Sequence, residues 1–321
     1  MTDFLDPFER IVAALFTPAA VRAAERGEAD DTAWTELAAS GFLDALVPED
    51  AGGAGLSFAD IVPLWLVLGR HAVPCSVGET MIARALLAQA GRAAPDGPIA
   101  IAAQAPGAAG RVIGAALARH LLVEWEGNLY LATLPGEAGV TGELAASVRW
   151  DSETATPVGP IVAGGSRRTA AVLRAALIAG AADRLTTMTA GYANERIQFG
   201  KPIGKQQALQ QQLAVMAEDM VAARIAAHIG GAGSFPPALA AAATAKSVAS
   251  SAAARVAAIA HAVHGAIGIS EEYDLQLYTR RLQAWRLADG SESYWNRLLG
   301  AERLAAPSGS VDFVRTALAP A

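Results

Sequence analysis

The stretch NERIQFGKPIGKQQALQQQLAVMAEDM, residues 194–220, decides how this chain is read. It brings together an arginine, Arg196, an aromatic–glycine pair, Phe199-Gly200, and a helix opened by glutamines, Gln206 and Gln207. Beyond them Leu209, Leu213, Met216 and Met220 fall at i, i+4, i+7 and i+11, which is one apolar stripe on one helix. Taken singly, an Arg after an apolar helix is solvated or salt-bridged, and a Phe-Gly pair is a core aromatic and a turn. The spacing R-x-Q-F-G-x-P-I followed by a glutamine-started helix favours a cradle for something anionic.

Working outward, GGAGSFPPA (230–238) reads as a linker, and ALAAAATAKSVASSAAARVAAIAHAVHG after it as an alanine-rich helix. Small residues on several of its faces suit a helix buried among others. Upstream, ARHLLVEWEGNLYLATLP reads as two short strands around a Gly127-Asn128 turn, and GELAASVRWDSETATPVG as further strand and loop. At ~8–12 residues per strand and turn, residues 99–165 hold about six strands at most. Residues 1–98 read as helices. DPFERIVAALF offers Asp6 as N-cap and Pro7 at the first helical position; DDTAWTELAASG places Trp34, Leu37 and Ala38 on one face with Gly41 as the stop. In LVPEDAGGAGLSFADIVPLWLVLGRHAVP a glycine-rich loop precedes Ser57 or Asp60, either of which can open an apolar helix ending near Gly69 and Pro74. The order is a helical domain (1–98), a small β domain (99–165) and a C-terminal helical domain (166–321): mostly α with a small central β module.

Composition narrows the function. The chain is 53% hydrophobic but only 6% aromatic, much of the apolar share being alanine, so closely laid helices and burial between subunits are expected. A net charge of −6 gives no electrostatic reason for nucleic acid or acidic membranes as partners. One cysteine, Cys75, excludes an internal disulfide and suits a reducing, cytoplasmic setting. The N-terminus is acidic where a signal peptide needs basic residues, and Arg or Gly breaks the apolar runs before ~20 residues, so no membrane span is expected. His261 and His264 lie three apart, but with no third ligand nearby they read as packing or cofactor hydrogen bonding rather than metal ligands.

These stretches, in this order, resemble the acyl-CoA dehydrogenase family of flavoenzymes. VPEDAGGAG (47–55), residues 192–220, HAVHGAIGISEEYDLQLYTRR (261–281) and LADGSESYW (287–295) carry the match, which is strong from Arg174 to Arg281 and weak between Ile99 and Arg168. The resemblance implies an N-terminal helical domain, a reduced β domain and a C-terminal four-helix bundle that assembles subunits, with each FAD shared between neighbours. It casts Arg196 as the partner of the pyrophosphate, Gln198 and Gln207 as hydrogen-bond donors to it, Phe199 as packing on the cofactor, and His264 and Gly265 as lying at the cofactor's other end.

Where the chain departs from the family, it departs on the catalytic side. The reaction needs a carboxylate to take the α-proton as hydride leaves the β-carbon for the flavin. The family's late-loop Glu-Gly pair is here Asp289-Gly290, one methylene shorter, and the alternative helix position around AAVLRAALIAGAADRL (170–185) holds no Glu. The β domain lacks the Thr-Glu-Pro and Gly-Ser-Asp type motifs, and Ala262 and Ala266 replace a usual Gln and Gly. This asymmetry resembles the short, catalytically incomplete subunits of heteromeric, α2β2 steroid side-chain acyl-CoA dehydrogenases. There a full-length partner binds most of the acyl-CoA and the short chain completes the partner's FAD site. Two other readings stay open: a self-sufficient homomeric dehydrogenase with Asp289 as base, and a scaffold subunit with no cofactor contact.

Overall fold

The computed structural model describes residues 2–28, 31–135 and 144–318. Asp30 and the residues 142–143 that begin one predicted strand lie outside them. The first region is helical, with α1 (Thr2–Leu15), α2 (Pro18–Glu25), α3 (Thr32–Ala39), α4 (Phe58–Arg70) and α5 (Val77–Gln89). Helix α1 starts before the expected Asp6 cap, and Pro7 sits inside it rather than at its first position. Of the two possible openers of α4, Ser57 is the cap: its hydroxyl accepts from the Asp60 amide at 3.2 Å. On α3, Leu37 is buried with Trp34 and Ala38 packed beside it, and Gly41 stops the chain at φ +80°.

Six strands follow, β1 (Ile99–Ala103), β2 (Gly110–Ile113), β3 (His120–Trp125), β4 (Asn128–Thr133), β5 (Ala145–Val148) and β6 (Thr156–Pro160). One sheet runs β1-β3-β4-β6, with β1 parallel to β3 and the other neighbours antiparallel; β2 and β5 form a separate antiparallel pair. The β3–β4 hairpin turns on Glu126 (φ +47°) and Gly127 (φ +73°), one residue earlier than the sequence suggests. Two consecutive positive-φ residues are what a two-residue hairpin turn demands, and Asn128 already pairs with Trp125.

The third region opens with α6 (Gly165–Glu195), a 31-residue helix and so about 46 Å long. The tiny strands β7 (Ile197–Gln198) and β8 (Lys201–Pro202) follow, then α7 (Gln207–Gly231), α8 (Leu239–His264), α9 (Leu275–Leu287), α10 (Glu292–Ala305) and α11 (Ser310–Ala317). The helix α7 continues to Gly231, so the linker is shorter than the expected 230–238. Within its predicted stripe, Met216 is buried outright while Leu209, Leu213 and Met220 are packed but half-exposed.

Helix α8 packs against α6, α7, α9 and α10. With the turn that follows it, it is long and apolar enough by length and composition to cross a membrane, although Lys246 and Arg255 interrupt the apolar run. Here its small residues serve the bundle: Ala242, Ala245, Ala249, Ala252, Ala253 and Ala260 are buried.

Two contacts tie the regions together. Gly69, in the last turn of α4 as expected, and Gly180 of α6 let two backbones touch. A Cβ on Gly69 would lie 2.1 Å from the Leu177 carbonyl oxygen, and one on Gly180 1.9 Å from that of Leu66. On β3, the buried carboxylate of Glu124 accepts from the Gly164 and Ser166 amides and from the Ser166 hydroxyl, at 2.5, 2.9 and 2.5 Å. It therefore occupies the N-terminus of α6, where free amides and the helix dipole favour a negative charge.

Candidate cofactor and partner-facing site

At the C-terminal end of α6 the chain turns sharply back on itself. Arg196 caps the helix, β7 and β8 pair, and the turn between them is Phe199 (φ +53°) and Gly200 (φ +77°). The hairpin stands on a small apolar base of Ala193, Ile203 and Val263, with Tyr192, Leu209 and Leu213 packed around it. Its outer surface is exposed throughout: Phe199 is 90% and Ile197 65% accessible. A phenylalanine held in the left-handed region at the tip of a rigid turn, with its ring in solvent, is costly for an isolated chain.

Arg196, Lys201 and Lys205 lie on or just after this hairpin, all exposed, and none makes an ion pair among the described residues. Next to them α7 begins. Its N-cap, Gln206, makes no side-chain cap, so the first amides of a 25-residue helix and the exposed side chain of Gln207 stand open. Three uncompensated cations beside an uncapped helix N-terminus form an arrangement suited to phosphate.

The His264–Gly265 position is reached through the same base. The Tyr192 ring stacks on His264 with centroids 4.5 Å apart, and Tyr273 lies 5.2 Å from His264 on another side. His264 is buried, and its Nδ1 lies 2.8 Å from the Ala260 carbonyl oxygen. A carbonyl only accepts, so Nδ1 is the donor and the neutral ring carries its lone pair on Nε2. Burial holds the imidazole below its ordinary pKa. A buried ring with an accepting Nε2 is not built to donate to a phosphate; what reaches the surface is the backbone of Gly265, exposed and at φ +61°.

Asp289 occupies a different setting. The Arg174 side chain, 2% exposed and rooted on α6, donates from Nε to Asp289 Oδ2 at 3.0 Å and from Nη1 to Glu79 Oε1 of α5 at 2.5 Å. Burial opposes the guanidinium charge, yet the two carboxylates raise its pKa above the usual arginine value. The Asp289 backbone is at φ +57°, its carbonyl accepts from Trp295 Nε1 at 3.1 Å, and the next carbonyl, Gly290, accepts from Lys246 Nζ at 2.9 Å. Lys246 is fully buried, with Ser250 Oγ and the Arg286 carbonyl as its other acceptors, and burial pushes its pKa down to about 7. Neither Arg174 nor Glu79 stood out from sequence. Their pairing spans 95 positions, and only the crossing of α5 and α6 brings them together.

Comparison with known proteins places these features. Residues 2–94 match the acyl-CoA dehydrogenase N-terminal domain and residues 167–305 the acyl-CoA dehydrogenase C-terminal domain. Acyl-CoA dehydrogenase IpdE2 of Mycobacterium tuberculosis is 35% identical over 290 residues, covering 84% of this chain and 87% of that one. The chain belongs to the acyl-CoA dehydrogenase family.

Among solved structures, the Tcur3481-Tcur3483 steroid ACAD G363A variant superposes on this acyl-CoA dehydrogenase chain with a TM-score of 0.75 at 26% identity, covering 94% of this chain and 99% of that one. The ChsE4-ChsE5 complex from Mycobacterium tuberculosis gives 0.76 at 23%, covering 95% and 97%, a likeness of fold. The family generally binds FAD. The exposed cations and the open start of α7 fit the pyrophosphate end of such a cofactor.

Proposed function

We propose that this chain is the non-catalytic subunit of a heteromeric, FAD-dependent acyl-CoA dehydrogenase, and that it completes the flavin site of a full-length partner. Arg196 pairs with the pyrophosphate, Gln198 and Gln207 donate to the nucleotide, Phe199 packs against it, and the Gly265 backbone closes its other end with His264 as a support. The flavin ring, acyl-CoA and base belong to the partner; bound flavin supplies hydride acceptance. One observation carries the reading: the unpaired cations and the 90% exposed Phe199 sit on an outward hairpin, while the candidate base, Asp289, is tied to a buried arginine.

The similar structure is itself named as a steroid ACAD with a two-part designation, which supports a two-chain assembly acting on a steroid thioester; α2β2 stoichiometry, a side-chain thioester and a cytoplasmic setting complete the proposal. Exposed apolar residues on the C-terminal helices, including Val215, Val221 and Ile225 of α7 and Val311 and Val314 of α11, provide surface for such an assembly.

The test is the visible flavin absorbance of the chain purified alone and co-expressed with a full-length homologue. A colourless lone chain and a yellow, active heteromer are expected. A yellow lone chain that oxidises an acyl-CoA overturns the reading in favour of a homomeric enzyme. Flavin content unchanged by Arg196→Ala in the heteromer reduces the chain to a scaffold.

A further inference from the structure

Two spaces meet at one guanidinium. A cleft of about 400 Å³ opens between β1, β2 and the loop before α10, with Val112, Arg167, Asp289 and Tyr294 in its lining. Deeper lies a cavity of about 40 Å³, mostly apolar, bounded by Leu68, Cys75, Leu177, Ala284 and Trp285. Arg174 borders both; Asp289 borders the outer space and Glu79 the inner one. Their ion pairs stand where the cleft would continue into the apolar interior.

We infer that the Glu79–Arg174–Asp289 bridge is a built-in plug that bars an apolar acyl chain from passing through this chain's own cleft into the apolar interior. The inference rests on the reading that the cleft has no catalytic use, and adds that the cleft is closed at its inner end rather than merely lacking a base. Arg174 alone pairs with both carboxylates, that of Glu79 buried beside it and that of Asp289 partly open to the cleft. An apolar ligand entering here would have to part charges that are already out of water, and it offers no hydrogen bond in return. The strained φ of Asp289 persists because Trp295, Lys246 and Arg174 each hold that loop from a different helix. The plug therefore depends on tertiary contacts from α5, α6, α8 and α10 together.

The single cysteine provides the reporter, since Cys75 is half-buried and lines the inner cavity, where desolvation pushes its thiol up to about 12. In the full chain alone, labelling of Cys75 by the uncharged reagent 4,4′-dithiodipyridine is followed in the wild type, Glu79→Gln and Asp289→Asn. Each variant cuts one arm and leaves the other in place. Each is expected to label about tenfold faster, at a rate that low urea does not change, as local opening requires. The neutral triple variant Glu79→Gln/Arg174→Met/Asp289→Asn is expected to bind the fluorescent fatty acid cis-parinaric acid, which the wild type excludes. Wild-type labelling rates in both single variants overturn the plug, as does acceleration that merely follows global unfolding in urea. Neither readout involves flavin or turnover, so failure here is separate from failure of the heteromer reading.

Discussion

Two short segments near the ends of long helices treat charge in opposite ways. On the hairpin after α6, Arg196, Lys201 and Lys205 are exposed and unpaired, and a phenylalanine points into solvent. In the loop after α9, Asp289 Oδ2 accepts from a buried arginine, while Trp295 and Lys246 hold the backbone carbonyls of Asp289 and Gly290. The first is a surface whose interactions are unfinished; the second is finished within the chain. On the proposed function, the first segment serves the partner and the second serves this chain's own fold.

The comparison breaks most directly at Arg174. Arg174→Met leaves the buried Glu79 carboxylate unpaired and is expected to cost about 3–5 kcal/mol, read by urea unfolding. An unchanged midpoint would mean that the inner cluster is not a finished structure. Where α4 and α6 cross, Gly180→Ala forces a methyl into the Leu66 carbonyl and is expected to cost about 3 kcal/mol, visible as a lower Tm. On the outer segment, Arg196→Ala should leave stability within about 0.5 kcal/mol while weakening flavin retention by the heteromer by about 1.5–3 kcal/mol, roughly 10- to 100-fold. Equal flavin content in the variant would remove the hairpin from the cofactor site.

A smaller effect concerns pH. The folded pKa of Lys246, about 7, lies below its ordinary 10.5, so the unfolded chain binds more protons between those values. The cost of burying the ammonium is present in full below about pH 7 and is relieved as the pH rises toward 10.5. Stability is therefore expected to gain with pH across that window, and Lys246→Met should flatten the gain. A slope identical in both chains would show that Lys246 is not responsible. The smallest change is expected from Phe199→Gly, which suits φ +53° and should alter the lone chain's stability by well under about 1 kcal/mol, while sedimentation shows weaker assembly with the partner.

The turn at Phe199-Gly200 and the glutamine-started helix were legible because they lie within a dozen residues, and turn geometry follows from neighbours in the chain; the β7–β8 pairing that frames the turn was not. The helix–strand–helix order was legible for the same reason, through periodicity and turn residues. Pro7 misled because a proline tolerated at a helix start is also tolerated within the first turns when tertiary packing holds the helix. Gly69 marked the end of α4, but its second role, admitting the backbone of α6, left no separate signal in sequence. Glu124 at the start of α6 left no signal at all, being a strand residue whose partners lie 40 and 42 positions away.

By itself, the amino-acid sequence determined the helical, β, helical order, the turn at Phe199-Gly200 before a glutamine-started helix, and the presence of an aspartate, Asp289, in the late loop. These follow from interactions between residues a few positions apart. Only the tertiary structure decided that Asp289 meets Arg174, that Arg174 also meets Glu79, and that His264 lies buried beneath Tyr192 while Phe199 stands free. The physical reason is that the state of a charge or an aromatic ring is set by what surrounds it, and here those surroundings come from helices and loops far apart in the chain.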